Sequence, residues 1–155
     1  MPITWEALAA EPLEETPFLI NPYIPREGVI LLHGKFGTGK SPLTWEMAAC
    51  VGEGRPFFGL PTIQGRVLYI ELDTPRFLVK HRLAALPPAP NVWWSFLQPI
   101  PRLEQLREEG DTIRPELVIV DTLRKAYAGS DIGSEAPTIV YSRFQRAFPG
   151  ASVLF

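Results

Sequence analysis

Gly28-Val29-Ile30-Leu31-Leu32-His33-Gly34-Lys35-Phe36-Gly37-Thr38-Gly39-Lys40-Ser41 is the stretch on which the reading of this chain turns. Its first half, Val29 to Leu32, is short, β-branched at its start and apolar on both faces, as in a strand buried within a parallel sheet. Its second half fits G-x-x-x-x-G-K-[ST] at every position from Gly34 to Ser41. Pro42 to Val51 then reads as a helix, since proline is welcome in a first helical turn. A loop of this pattern between strand and helix is a phosphate cradle. Its glycines let the backbone curl so that successive N–H groups point inward, and the helix N-terminus adds its dipole. Lys40 brings an ammonium to the β- and γ-phosphates, and Ser41 offers a hydroxyl to Mg²⁺. The expected nucleotide-binding residues are therefore Gly34, Lys35, Phe36, Gly37, Thr38, Gly39, Lys40, Ser41 and Pro42, and the expected ligands ATP and Mg²⁺. At background composition a chance match in such a chain is of order 1% or less. Lys35 reads as a solvated loop lysine, with reach to a neighbouring subunit's phosphate as the alternative.

Leu117-Val118-Ile119-Val120-Asp121 is a second buried strand ending in an acid, expected beside the strand that enters the loop. Ligands bind at the carboxyl ends of parallel strands, so Asp121 joins Ser41 as an expected magnesium-side residue, with a plain turn former as the bland alternative. A third strand, Val67 to Leu72, carries Glu71 and Asp73 two residues apart, which puts both on one face near its carboxyl end. A hydrolase needs one carboxylate there to activate water; the other would be structural, or Asp73 would cap the next helix through Asp73-Thr74-Pro75.

Further helices are expected at Pro75 to Leu86, Arg102 to Glu109 and Pro137 to Phe148, and strands at Val92 to Leu97 and Ala151 to Phe155. Strands alternating with helices define an α/β chain with a mainly parallel sheet covered on both faces. Upstream, Thr4 can cap a short helix at Trp5 to Ala10. Pro12, Pro17, Pro22 and Pro25 then read as an extended arm with no compact hairpin. The expected division is an N-terminal arm, 1–24, and a core, 25–155, with the arm docking on a neighbouring subunit.

The chain has 155 residues, 46% hydrophobic and 21% charged, which suits one domain and one core. A net charge of −2 gives no global basic field for nucleic acid, although a local stripe is not excluded. One cysteine, Cys50, precludes an internal disulfide, and two histidines leave a structural zinc site without ligands. The N-terminus lacks a basic signal region, and no apolar run approaches the ~20 residues of a membrane span. The expectation is a soluble, cytoplasmic domain that does not enter a membrane. His33 reads as a hydrogen-bonded core histidine, and Trp93-Trp94 as one core and one interface aromatic, with stacking on bases as the alternative. Arg124-Lys125 reads equally as a contact to DNA or the nucleotide and as a solvated helix start.

These residues together resemble the RecA-like ATPases, especially the hexameric helicase branch typified by plasmid RepA. The resemblance runs from about Pro25 to Phe155. It rests on GVILLHGKFGTGKS, RPFFGLPTIQGRVLYIELDTP with HRL after it, LVIVDTLRKA and RAFPGASVLF, in that order. It implies a RecA-like core, ATP hydrolysis, and homo-oligomeric rings or filaments acting on DNA, with single-stranded DNA as a partner. Lys40 and the glycines match the phosphate loop, Asp121 the magnesium-side aspartate, and Asp73 the family's catalytic glutamate, one methylene short. Glu71 has the right chemistry but sits two residues early. The family's fifth strand leads into sensor and DNA-binding parts, so the sequence reads as part of a longer protein or a truncated gene. The leading expectation is a Mg-dependent ATPase motor module for DNA replication or recombination. An ATP-binding regulatory or assembly protein with weak hydrolysis is the alternative. A small-molecule kinase ranks below both, and no N-K-x-D motif supports a GTPase.

Overall fold

The computed structural model describes residues 1–13, 18–35, 37–97, 102–122, 126 and 137–155. Its centre is a five-stranded sheet. The strands in chain order are β3 (Gly28–Ile30), β4 (Val67–Glu71), β5 (Val92–Ser95), β6 (Leu117–Asp121) and β7 (Ser152–Leu154). Every pairing is parallel, and the spatial order is β3-β7-β6-β4-β5. Helices cover both faces, as the alternating pattern requires, and the fold is that of a RecA-like P-loop NTPase core.

The two faces follow from period-two side-chain geometry. Leu68, Ile70, Val118, Val120 and Val153 point to one face. There they meet α4 (Leu103–Ile113) and α5 (Pro137–Ala147) through Leu106, Val140 and Phe144. Gly110 allows the close approach of these two helices, because a Cβ would stand 2.8 Å from the Ala147 carbonyl oxygen. Val67, Tyr69, Leu117, Ile119 and Leu154 point to the other face, against α2 (Lys40–Glu53). On that helix Thr44, Met47, Ala48 and Val51 are buried, at the i, i+3, i+4, i+7 spacing of one stripe. Gly54 ends it in the left-handed conformation at φ 74°, donating its N–H to the Cys50 carbonyl at 2.8 Å.

Several sequence expectations are corrected. The strand entering the phosphate loop is short, only half buried and at the sheet edge, paired with β7 alone among the described residues; Leu31 beyond it is exposed. The Asp121 strand is not beside it, because β7 lies between β3 and β6. The proline-rich segment does form a hairpin, β1 (Phe18–Ile20) against β2 (Ile24–Pro25), whose Leu19, Ile20 and Ile24 enter the core under α2. Its prolines are tolerated because they fall at the turn and at a strand end. α3 (Arg76–Leu83) is shorter than expected and peripheral: only Val79 is buried, while Phe77, Leu78 and Leu86 face solvent. His33 is exposed rather than in the core.

Upstream of the hairpin, α1 (Trp5–Ala9) is capped by Thr4, which accepts the Ala7 amide at 3.2 Å. Trp5 is 84% and Leu13 97% exposed, so this end of the chain contributes nothing to the core. No helix among the described residues is long and apolar enough to cross a membrane.

Candidate functional site

The carboxyl ends of the strands hold the expected residues. Gly34, Lys35, Gly37 and Thr38 form an exposed loop, Gly39 is the N-cap of α2, and Lys40 and Ser41 begin the helix. Pro42 is in the first turn, facing solvent. Phe36 and Arg124-Lys125 lie outside the described residues. Gly37 and Gly39 adopt φ 78° and 88°, the left-handed region that favours glycine, with open space where a Cβ would stand. Conformation, not crowding, therefore requires glycine at both positions.

Lys40 arches back over the loop, its Nζ donating to the carbonyl oxygens of Gly34 and Lys35, both at 2.8 Å. The Thr38 hydroxyl donates to the same Lys35 carbonyl at 2.8 Å. The ammonium is thus held at the mouth of the cradle by weak neutral acceptors, which an anionic phosphate oxygen would outbid.

Asp121 ends β6 in register with Glu71 on β4. By parity both carboxylates point to the α2 face, with Tyr69 and Ile119. Glu71 is buried, at 2% exposure. Its Oε1 accepts the backbone N–H groups of Asp73 at 3.0 Å and Thr74 at 2.8 Å, while its Oε2 is buried without a partner among the described residues. Burial pushes its carboxyl above the ordinary 4.5; the two amides oppose this, and Asp121 and Asp73 add to it. Asp73 is not on the strand. It follows Leu72 in the bend after β4, and its side chain is exposed at the open end of the sheet. The N-cap of α3 falls to Pro75, which offers no side-chain cap, so the capping motif expected at Asp73-Thr74-Pro75 is displaced by two residues. The two acids therefore have different environments: one is buried and tied to the backbone, the other is exposed to solvent.

Two residues that sequence reasoning missed join the site. Tyr69 on β4 is fully buried, its hydroxyl 2.8 Å from Thr44 Oγ1 and donating to Asp121 Oδ2 at 3.0 Å. Thr44 also donates to the Ser41 carbonyl at 3.0 Å. Burial, with Asp121 second, raises the phenol well above its ordinary value, so it remains a donor at any physiological pH. Their signals in sequence were faint: a polar tip inside an apolar strand at the parity of Glu71, and a threonine one helical turn after Ser41. The Asp121–Thr122 peptide is cis.

The donor set fits nucleotide with a hard divalent cation. Backbone amides, an ammonium and a helix start suit phosphates, and the Ser41 hydroxyl with the Asp121 carboxylate suits Mg²⁺, which is usually held by one or two carboxylates plus substrate phosphates. No cluster of three or more His, Cys, Asp or Glu side chains able to hold a metal by themselves occurs among the described residues.

Strand, glycine loop, helix and a carboxylate two strands away define a P-loop NTPase of the α/β class. The chain belongs to the AAA domain family, whose model matches residues 1–155. Membership makes it an ATPase-type, nucleotide-binding module, and such modules usually use Mg²⁺. No curated protein matches the sequence.

Proposed function

We propose that the chain binds ATP with Mg²⁺ and hydrolyses it, as a motor module of the replicative-helicase or recombination kind. The observation that carries this reading is the placement of Lys40, Ser41, Asp121 and Asp73 around the carboxyl ends of β3, β6 and β4. In this reading the backbone of Gly34 to Thr38 holds the phosphates. Lys40 leaves its two carbonyls for the β- and γ-phosphate oxygens, and Ser41 with Asp121 holds the cation. Mg²⁺ supplies charge neutralisation on the transferred phosphoryl group. Asp73, exposed at the cleft, orients the attacking water and accepts its proton. Glu71 fixes the bend that presents Asp73 by accepting the amides of Asp73 and Thr74.

The RepA-like branch, action on single-stranded DNA and ring or filament assembly belong to the proposal, and rest on the order of the sequence motifs. Exposed Trp5, Leu8 and Leu13 support assembly through the first part of the expected arm, whose later residues Leu19, Ile20 and Ile24 belong to the core. Deleting Met1 to Leu13 then weakens self-association in light scattering more than nucleotide binding. One observation favours the alternative of an ATP-binding regulatory protein: the acid at the catalytic place is the shorter aspartate. Steady-state phosphate release with Mg²⁺ and ATP, with and without single-stranded DNA, separates the two. DNA-stimulated turnover supports the motor; tight ATP binding without turnover overturns it.

A further inference from the structure

A chain of hydrogen bonds joins the two candidate metal-side residues, and none of the roles assigned above uses its middle members. It runs from the Ser41 carbonyl to Thr44 Oγ1 at 3.0 Å, to the Tyr69 hydroxyl at 2.8 Å, and to Asp121 Oδ2 at 3.0 Å. It crosses from the phosphate-loop helix to β4 and on to β6. Both middle residues are buried, Thr44 at 6% and Tyr69 at 0% exposure, so water does not compete for these bonds.

The protons along it can be counted. The Tyr69 hydroxyl donates to Asp121 Oδ2, so its one proton is committed there. The contact between Thr44 and Tyr69 must then use the Thr44 proton, which the Ser41 carbonyl also draws on. Two protons serve three contacts, so the threonine hydroxyl is shared between the helix and the tyrosine. The phenol itself is not free to move: its ring stacks on Trp94 with centroids 4.3 Å apart and planes 26° apart. Trp94 is in turn touched edge-on by Trp45 of α2 at 6.0 Å.

We propose that Tyr69, seated by Thr44 and Trp94, is a positioning residue that sets the Asp121 carboxylate relative to Ser41 for Mg²⁺. This rests on the reading of Asp121 and Ser41 as the metal-side pair. The terminal torsion of an aspartate is broad and roughly two-fold, so an unrestrained carboxylate samples orientations unsuited to a cation that demands near-ideal octahedral geometry. A rigid phenol committed to Oδ2 removes that freedom and leaves Oδ1 for the cation. Because the same chain ends on the carbonyl of Ser41, the clamp also fixes helix against strand, the spacing on which the pair depends. The bland alternative is a buried phenol that merely satisfies its own hydroxyl. The two differ in what Tyr69→Phe does, since phenylalanine keeps the ring, its stacking and its volume.

The test is ATP binding by titration calorimetry, once with Mg²⁺ and once with EDTA, the ratio of the two affinities reporting the metal's contribution. Outer-shell partners of a metal ligand are typically worth ~10–100-fold in metal affinity, so Tyr69→Phe should lower the ratio by about that factor and leave the EDTA affinity unchanged. Thr44→Val should move the ratio the same way, and Thr44→Ser should restore it. Melting curves accompany each variant, and the threonine pair carries the test if Tyr69→Phe does not fold. A wild-type ratio in Tyr69→Phe, or in a folded Thr44→Val, overturns the proposal. Asp121→Asn separates the levels: if it too keeps the ratio, the metal reading fails and the clamp with it. If Asp121→Asn loses the ratio and Tyr69→Phe keeps it, the clamp alone fails.

Discussion

Glu71 and Asp73 make the sharpest test of how this site works, because each assignment predicts a different silent residue. In the structure Glu71 Oε1 holds two backbone N–H groups, those of Asp73 and Thr74, at 3.0 and 2.8 Å. Glu71→Ala strands both. An unsatisfied buried donor costs ~1–3 kcal/mol, and because Asp73 is exposed and water reaches the bend, the low end applies, about 2 kcal/mol for the pair. Loosening that bend by ~1 Å should cost ~10²-fold in turnover. Glu71→Gln keeps an acceptor oxygen at the same reach, and a bond to a neutral acceptor is about half as strong as one to a charged one. Losing the charge also relieves the burial penalty and the Asp121 repulsion that push the Glu71 carboxyl up, so this variant should change stability and turnover little. Asp73→Asn removes the proposed base and should lower turnover by ~10²–10⁴-fold with ATP affinity intact. Asp73→Glu, one methylene longer and closer to the family's residue, should raise turnover. Phosphate release under saturating MgATP, with a melting curve for each variant, reads all four. A dead Glu71→Gln beside an active Asp73→Asn refutes the assignment and makes the buried carboxylate the base.

Lys40→Ala should abolish ATP binding in calorimetry while leaving the melting temperature near wild type, since among the described residues its ammonium bonds two exposed loop carbonyls; unaltered binding would remove the phosphate-loop assignment. Gly52→Ala drives a Cβ into the Pro90 carbonyl oxygen and to 2.8 Å from Val92 Cγ2. Overpacking of that kind costs ~1–3 kcal/mol, which for a chain of this length lowers Tm by roughly 3–10 °C; an unchanged melt would show that α2 does not lie that close to β5. Glu109 is raised above its ordinary 4.5 chiefly by burial, against the Ser95 hydroxyl that donates to it at 2.5 Å, with Glu108 adding to the rise. The native state then holds this proton more tightly than the unfolded chain, so stability falls as pH rises from 4.5 through the folded value and levels off above it. Glu109→Gln should flatten that part of the Tm-against-pH curve, and an unaltered slope would place its origin elsewhere.

Much of this molecule is legible in its sequence because the relevant signals are local. The glycine octet, the run into Asp121 and the apolar stretch before Glu71 each carry their own periodicity. The sheet with helices on both faces follows from their alternation. What was not legible depends on neighbours far apart in the chain. Val29 to Leu32 is as apolar as a central strand, yet β3 is at the edge, because strand order is set by crossovers and not by hydropathy. Asp73 shares parity with Glu71 on paper, but the strand ends at Glu71, whose side chain turns the backbone by taking the next two amides. The hairpin at Phe18 to Pro25 was hidden by prolines that happen to occupy its turn and its end. Tyr69 and Thr44 look like ordinary core and helix residues until the fold brings them between Ser41 and Asp121.

The position of β7 ties these points together. Were β6 paired directly with β3, Asp121 would stand one strand spacing, about 4.8 Å, from the strand that feeds the phosphate loop. Inserting β7 widens the separation to about 10 Å. A crevice at such a change of strand order is where α/β sheets bind ligands. The same insertion removes any direct contact between the loop's strand and Asp121's strand, so something else must hold Ser41 and Asp121 in register. α2 begins at the loop and crosses that face of the sheet, and the hydroxyls of Thr44 and Tyr69 complete the only such link found among the described residues. A topology that opens the crevice thus creates the need for the clamp, and the residues that meet it lie on the one helix and the one inner strand able to reach across.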